Sequence, residues 1–481
     1  MEFSQLQSTT AICPSLFNAA TAQDGILSRI RLPAGLISST QCEALVQVVN
    51  QFGNGEIQIT NRANLQIRTS HALSLEILQD LQDYGLASSE SSTDGLRNIM
   101  ASPTAGIDPL AKINTIPFVK QWNLYLVKHP ELGILSNKFS ICFDGGETIS
   151  VGDRPNDICF KAVEINGEIY FSLHLGIGDR GDSPSAVGRL IHSKQTLEVL
   201  TALTEVYRVY TEQKLNQTHS CARPPRSREM IGAWGVENYL QLVEENLGYS
   251  LKPLPLCSLP QERSTRFEYK HLGIHAQSQS GLAYIGVAIP LGRLTAIQFQ
   301  GLGDLARQYG GGALRLTPWQ NILITDIAEA QVEQLTREIN GLGLSISANH
   351  PYAAIAACSG YMGCKAAHTN TQVDAKQVAV YLESCIQLDH PINIHFSGCD
   401  KSCAQHHPSD IALVGIQGKE KKCPEAYRVY VGDGNTNFGK ELYTEYSAQD
   451  IPNLIAQLLK TYQNNRRDHT QTFREFVNQQ S

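Results

Sequence analysis

Apolar and polar residues alternate in two well-separated stretches of the chain, and the two stretches match. Ile57, Ile59, Leu65 and Ile67 alternate in the first, and Leu314, Leu316, Ile322 and Ile324 in the second. Successive side chains of a strand point to opposite faces, so a period of two predicts strands with one buried face. Helical stretches at residues 41–52 and 302–309 precede them, each followed by a glycine turn. Without a gap, Pro33 aligns with Pro290, Gly53 with Gly310, Gly55 with Gly312, Thr60 with Thr317 and Asn64 with Asn321. The pattern predicts the same strand, helix and strand twice.

The repeat continues downstream. Ala101 and Ser102 fall where Ala357 and Cys358 fall, "FDGG" at Phe143 matches "FSGC" at Phe396, and Asp157-Ile158 matches Asp410-Ile411. These matches predict an α+β chain that is internally duplicated and pseudo-twofold, with two ferredoxin-like halves. One copy holds cysteines where the other has Ser102 and Gly146. This asymmetry points to one redox half and one half adapted for binding. Prolines 224, 225, 253, 255 and 260 mark residues 218–264 as the boundary between copies. Arg223, Arg226 and Arg228 there read either as a solvated linker or as cations reaching over an acidic ligand.

Composition narrows the class. A chain of 481 residues predicts roughly two to four domains. Hydrophobic residues at 42% and charged ones at 18% suit a globular enzyme. A net charge of −7 argues against a general nucleic-acid binder. No run of eighteen apolar residues predicts a membrane span, and the first twenty residues lack a signal-peptide pattern. Eight scattered cysteines (13, 42, 142, 159, 221, 257, 385 and 423) form no disulfide framework, as expected of a reduced cytoplasm.

The other four cysteines carry the chemistry. Cys358 and Cys364 have five residues between them, Cys399 and Cys403 have three, and about 35 residues separate the pairs. Zinc sites favour gaps of two within a pair. Four thiolates from two short turns are what a [4Fe-4S] cluster requires. His395, His406, His407 and Asp400 lie near the second turn and have ligand chemistry, though a structural role is the commoner one. Three segments of the first half add cations at strand or turn ends: "TNRANLQIR" with Arg62 and Arg68, "LRNIMASP" with Arg97, and "NKFSICFDGG" with Lys138. Such residues would suit a ligand bearing carboxylates. No glycine-rich turn leads from strand into helix, so no built-in nicotinamide or flavin domain is predicted.

These segments, the duplicated halves and the two cysteine pairs resemble the nitrite and sulfite reductase superfamily over nearly the whole chain. The resemblance implies two mixed α/β domains beside the ferredoxin-like halves, and domains at 1–90, 91–217, 265–346 and 347–465, with a linker at 218–264 and a polar tail at 466–481. It also implies that Cys358, Cys364, Cys399 and Cys403 hold the cluster, that Cys403 bridges to sirohaem iron, and that Arg62, Arg97 and Lys138 face the tetrapyrrole or its substrate. Within the superfamily, "HFSGCDKSCAQHHPSDIALVG" and "KFSICFDGG" are most similar to precorrin-3B synthase. Ser140 stands where assimilatory reductases carry lysine or asparagine, and Cys-Asp-Lys, with Lys401, replaces Cys-Pro-Asn. On that resemblance the expected function is an oxygen-using monooxygenase of cobalamin biosynthesis acting on precorrin-3A, with sirohaem or a mononuclear iron beside the cluster. Electrons would come from a ferredoxin or an NADH-dependent reductase. The alternatives are a sirohaem-dependent sulfite or nitrite reductase, and a non-catalytic tetrapyrrole-binding or electron-carrier protein.

Overall fold

The structure is a computed structural model and describes residues 13–179, 181–217, 223–254, 269–418 and 425–480. The chain divides into two compact units. The first takes Ile26–Asn54 and the run from Arg62 through the rest of the N-terminal half. The second takes the C-terminal half together with Ala22–Gly25 and Gly55–Asn61.

The sequence repeat reaches down to single hydrogen bonds. In the first unit, Gly25–Ile30 pairs antiparallel with Leu65–Thr69. Helix Ser39–Phe52 starts at a capping box in which Ser38 Oγ accepts from Gln41 N and the Gln41 side chain accepts from Ser38 N. In the second unit, Ile322–Ala328 pairs antiparallel with Leu282–Val287 and with Ala313–Leu316. Helix Ala296–Tyr309 there has the same box, built from Thr295 and Gln298. Asn64 Oδ1 accepts from Leu32 N at 2.8 Å, and Asn321 Oδ1 accepts from Ile289 N at 2.9 Å. Ala34 and Leu291, each following one of the aligned prolines, sit at φ 57° and 52°. A non-glycine residue in this left-handed region is uncommon, so its recurrence at matched positions marks the two copies as one local design.

Each unit also carries a second sheet, of the same plan in both. In the first, Ile99–Ala101, Ile141–Asp144 and Ile158–Ile165 run parallel, and Glu168–Leu175, Ser185–His192 and Lys252–Pro253 continue antiparallel. In the second, Ile355–Ala357, Ile394–Ser397 and Ile411–Gln417 run parallel, followed antiparallel by Glu425–Val431 and Lys440–Ser447. Near-continuous apolar runs on the central strands bury both faces. Trp122, Phe143, Phe160 and Phe171 anchor the first core, and Phe396, Leu413 and Tyr427 the second. Parallel neighbours end at the same sheet edge, so the turns that follow them come together.

Two stretches differ from expectation. Residues 223–254, expected as linker, form helices Ser227–Trp234 and Val236–Leu247, whose Met230, Ile231, Tyr239, Leu240 and Val243 are buried in the first core. Proline there starts structure more than it breaks it: Pro225 O accepts from Tyr207 Oη at 2.6 Å. The rest of the expected linker, 218–222 and 255–264, lies outside the described residues. In the polar tail, helix Phe473–Gln479 begins at a Thr472–Glu475 capping box and buries Phe473 and Phe476. Two aromatic residues at helical spacing outweigh the polar composition around them.

Candidate redox site

The cysteine turns leave adjacent parallel strands at one edge. Ala357 pairs with Phe396 at the ends of their strands, so Cys358 and Gly398-Cys399 start neighbouring turns. Cys358 N donates to Phe396 O at 3.1 Å, and His368 N donates to Gly398 O at 2.8 Å, tying the turns together. Gly398 N donates to Cys358 Sγ at 3.2 Å. A Cβ at residue 398 would stand 2.5 Å from Ala367 Cβ, so glycine is what lets this amide reach the sulfur. Cys358 and Cys399 are half-buried, while Cys364 and Cys403 are exposed. Among the described residues no cysteine is in a disulfide. Cys221, Cys257 and Cys423 lie outside those residues.

Among the described residues, no group of three or more His, Cys, Asp or Glu is drawn tightly enough to hold one metal ion. A lone zinc needs every sulfur about 2.3 Å from a common point. In a four-iron cube each iron takes one cysteine sulfur, so the four sulfurs stand farther apart than around one ion.

Several supports of these turns escaped sequence reasoning. Thr371 Oγ1 donates to Cys358 O at 2.7 Å, and Gln372 Nε2 donates to the same oxygen at 2.8 Å. Ser397 Oγ donates to Cys399 O at 2.6 Å. Ser402, at φ 53°, closes the second turn, and its hydroxyl donates to Gln405 O. Asn61 Nδ2 lies 3.3 Å from both Cys403 O and Ala404 O, contributed by the 55–61 segment of the second unit. Only the run of small polar residues around the cysteines hinted at this shell. His395 is buried against Phe438, and burial pulls its pKa down to about 3, which keeps it neutral. Asp400 is ion-paired with Arg428.

The first unit closes the matching turn with carboxylates. Ser102 Oγ donates to Ile149 O at 2.7 Å. Asp144 accepts from Gly146 N, Val151 N, Gly152 N and Ser150 Oγ, and Asp108 accepts from Thr148 N and Oγ1. Glu147 is buried between them, with one oxygen accepting from Gly145 N at 2.7 Å. Burial, then Asp144 and more distantly Asp108, raise its pKa from 4.5 to about 8. Between those values the folded state holds a proton that the unfolded chain has lost. Stability therefore falls as pH rises from about 4.5 to about 8, by an amount on the order of 5 kcal/mol. Glu147→Gln is expected to flatten this slope and to stabilise the protein at pH 8, read from urea midpoints across that range.

The cations predicted from sequence have different fates. Arg62 Nε, Nη1 and Nη2 donate to Asn98 Oδ1, Pro155 O and Asn156 Oδ1 at 3.0, 2.7 and 2.5 Å. Burial lowers its pKa to about 10, which leaves it a cation at neutral pH. Arg68 is buried in strand Leu65–Thr69, whereas Lys138 and Lys401 are exposed. Arg97 is a buried strut: it donates to Gly85 O, Leu86 O and Asn123 Oδ1 and pairs with Asp94 at 3.4 Å. Ser140 is 3% exposed, and its N and Oγ both donate to Asp157 Oδ2 at 3.0 Å. Its hydroxyl anchors a strand end.

Comparison with known proteins agrees with this architecture. The nitrite/sulfite reductase ferredoxin-like half domain matches residues 20–83 and 275–342, and the nitrite and sulphite reductase 4Fe-4S domain matches 92–251 and 355–479. The ferredoxin–nitrite reductase of Synechococcus elongatus is 30% identical over 451 residues, covering 90% of this chain and 85% of that protein. The chloroplastic ferredoxin–nitrite reductase of Zea mays is 29% identical, covering 92% and 80%. The Mycobacterium tuberculosis NirA protein shares the fold at a TM-score of 0.78 and 23% identity, covering 94% of this chain and 83% of that one. Among the described residues no helix is long and apolar enough to cross a membrane. The expected precorrin-3B synthase activity is overturned: these relatives are named nitrite reductases. The monooxygenase reaction and the precorrin-3A partner fall with it. Ser140 misled because a serine spent on Asp157 reports no substrate preference. With its two half domains and its two 4Fe-4S domain segments all matched, the chain is an oxidoreductase that belongs to the nitrite/sulfite reductase family.

Proposed function

We propose that the protein is a ferredoxin-dependent nitrite reductase. The observation that carries this reading is the pairing of the two cysteine turns at one sheet edge, in a chain whose relatives carry that name over most of their length. The cofactors are a [4Fe-4S] cluster and sirohaem. Cys358, Cys364, Cys399 and Cys403 would hold the cluster, with the sirohaem beside it. When bound, this pair supplies electrons one at a time to an oxyanion.

The chain's own residues set the conditions for that chemistry. Gly398 N–H on Cys358 Sγ fixes the direction of that sulfur. Arg62, held by three acceptors, supplies a fixed positive charge for a small anion, and Lys138 supplies a mobile one. Arg68 adds a buried positive charge to the same unit, and Lys401 an exposed one on the cluster turn. Arg97 and Ser140 support the fold.

The test is nitrite consumption and ammonium formation by cofactor-loaded protein, with reduced ferredoxin and separately with an artificial donor. Turnover with both supports the proposal. Turnover of sulfite alone would place the chain on another branch of the family, and no turnover of nitrite by fully loaded protein would overturn the reading.

A further inference from the structure

Cys358 lies at the start of a helix that offers it one hydroxyl with two acceptors. Helix Thr371–Cys385 begins beside the Cys358 turn. Gly360, at φ 62°, makes this approach possible: a Cβ there would stand 2.9 Å from Thr371 N and 3.0 Å from Thr371 Oγ1. Thr371 Oγ1 lies 2.7 Å from Cys358 O and 3.6 Å from Cys358 Sγ. A hydroxyl has one proton to donate, and rotation about its C–O bond chooses the acceptor. The carbonyl does not depend on it. Gln372 Nε2 donates to the same Cys358 O at 2.8 Å and to Ala357 O at 3.0 Å. Thr371 is fully buried, so bulk water does not compete for its proton.

We propose that Thr371 is a positioning residue for electron uptake: its hydroxyl donates to Cys358 O while a cluster on Cys358 is oxidised, and turns to Cys358 Sγ when that cluster is reduced. The inference rests on Cys358 being a cluster ligand, as proposed above. Added negative charge on a ligand sulfur makes it a stronger acceptor, and hydrogen bonds to the sulfurs are among the features that set a cluster's potential. The positive end of the helix favours the same charged state. Gly398 N–H, at 3.2 Å from Cys358 Sγ, is fixed in the chain and serves both states. The hydroxyl can serve one state more than the other, because Gln372 keeps the carbonyl satisfied after it leaves.

The step moves one electron from a low-potential one-electron donor into the cluster. No covalent bond forms or breaks, and the hydroxyl keeps its proton. The experiment is a spectropotentiometric titration of the cluster in cofactor-loaded protein, with variants compared at equal iron content. Thr371→Val keeps the shape of the side chain and removes the proton. It is expected to make one-electron reduction about tenfold less favourable, a shift of about 59 mV to lower potential. Thr371→Ser keeps the proton and should return the potential to near that of the unaltered chain. Gln372→Leu changes a side chain whose amide is bonded to two carbonyls. It should also lower the potential, since it commits the Thr371 hydroxyl to Cys358 O.

A residue that only braces the turn would alter iron retention and leave the potential in place. An unmoved potential in Thr371→Val or in Gln372→Leu, or a Thr371→Ser variant that behaves like Thr371→Val, would each overturn the proposal. If Thr371→Val retains no cluster, Gln372→Leu decides: a lower potential supports the switch, and an unmoved one overturns it. Nitrite turnover plays no part in this readout. A chain that shows the shift and reduces no nitrite would lose the proposed activity and keep this inference. Full iron content in Cys358→Ala would instead overturn it through its premise.

Discussion

Cys399→Ala is expected to give folded protein with little iron or acid-labile sulfide, no broad visible absorbance from a cluster, and nitrite turnover below detection. A cube held by three sulfurs keeps one iron open to water and oxygen. The same outcome is expected for Cys358→Ala. Gly398→Ala keeps all four sulfurs but drives a methyl into Ala367 and lifts the amide from Cys358 Sγ. Losing such an outer contact should cost about 10–100-fold in cluster retention or activity. Cys385→Ala, a change at the end of a helix away from both turns, should leave iron content unchanged. Iron and sulfide assays on anaerobically purified variants check the series. Full iron content in Cys399→Ala would remove that residue from the ligand set.

The second large effect is on stability. Asp157 takes Ser140 N and Oγ on one carboxylate oxygen, and Ser227 Oγ and Arg226 on the other. Asp157→Ala leaves four donors facing an apolar methyl. It is expected to destabilise the protein by about 3 kcal/mol, because it strands the buried donors of Ser140 and Ser227 and removes the partner of half-buried Arg226. Ser140→Ala should cost only about 1 kcal/mol, the worth of one hydrogen bond. Ser140→Lys should cost far more, since an ammonium would have to be buried at a site 3% exposed. Urea midpoints read all three.

What the sequence made legible follows from what repeats. Periods of two and paired glycines revealed both ferredoxin-like halves, because alternation and turn chemistry are local. The cysteine gaps pointed to two short turns for the same reason, and those turns follow adjacent parallel strands. The capping boxes at Ser38 and Thr295 could have been read too, since each has glutamine three residues on. What stayed hidden depends on distant partners. Arg97 looked like a ligand because its carbonyl acceptors, Gly85 and Leu86, carry no side-chain signal. Ser140 looked like a pocket wall because Asp157 lies seventeen residues away in sequence. The helices after Pro225 were masked by prolines that sit before a helix as readily as inside a linker. Substrate choice was read from two positions, Ser140 and Lys401. One is inside the protein and the other is in solvent.

Residues 55–61 have a consequence for how this architecture can be taken apart. They come from the first copy by sequence, yet they fold with the second, where Ile57 lies opposite Leu294 and Asn61 holds the Cys403 turn. A gene fragment encoding only the C-terminal copy would therefore lack the strand with which Arg293–Thr295 pairs and one prop of the Cys403 turn. The C-terminal copy expressed alone would thus be missing these seven residues of its own compact unit. The fusion is held in place by topology, whatever each half later came to bind.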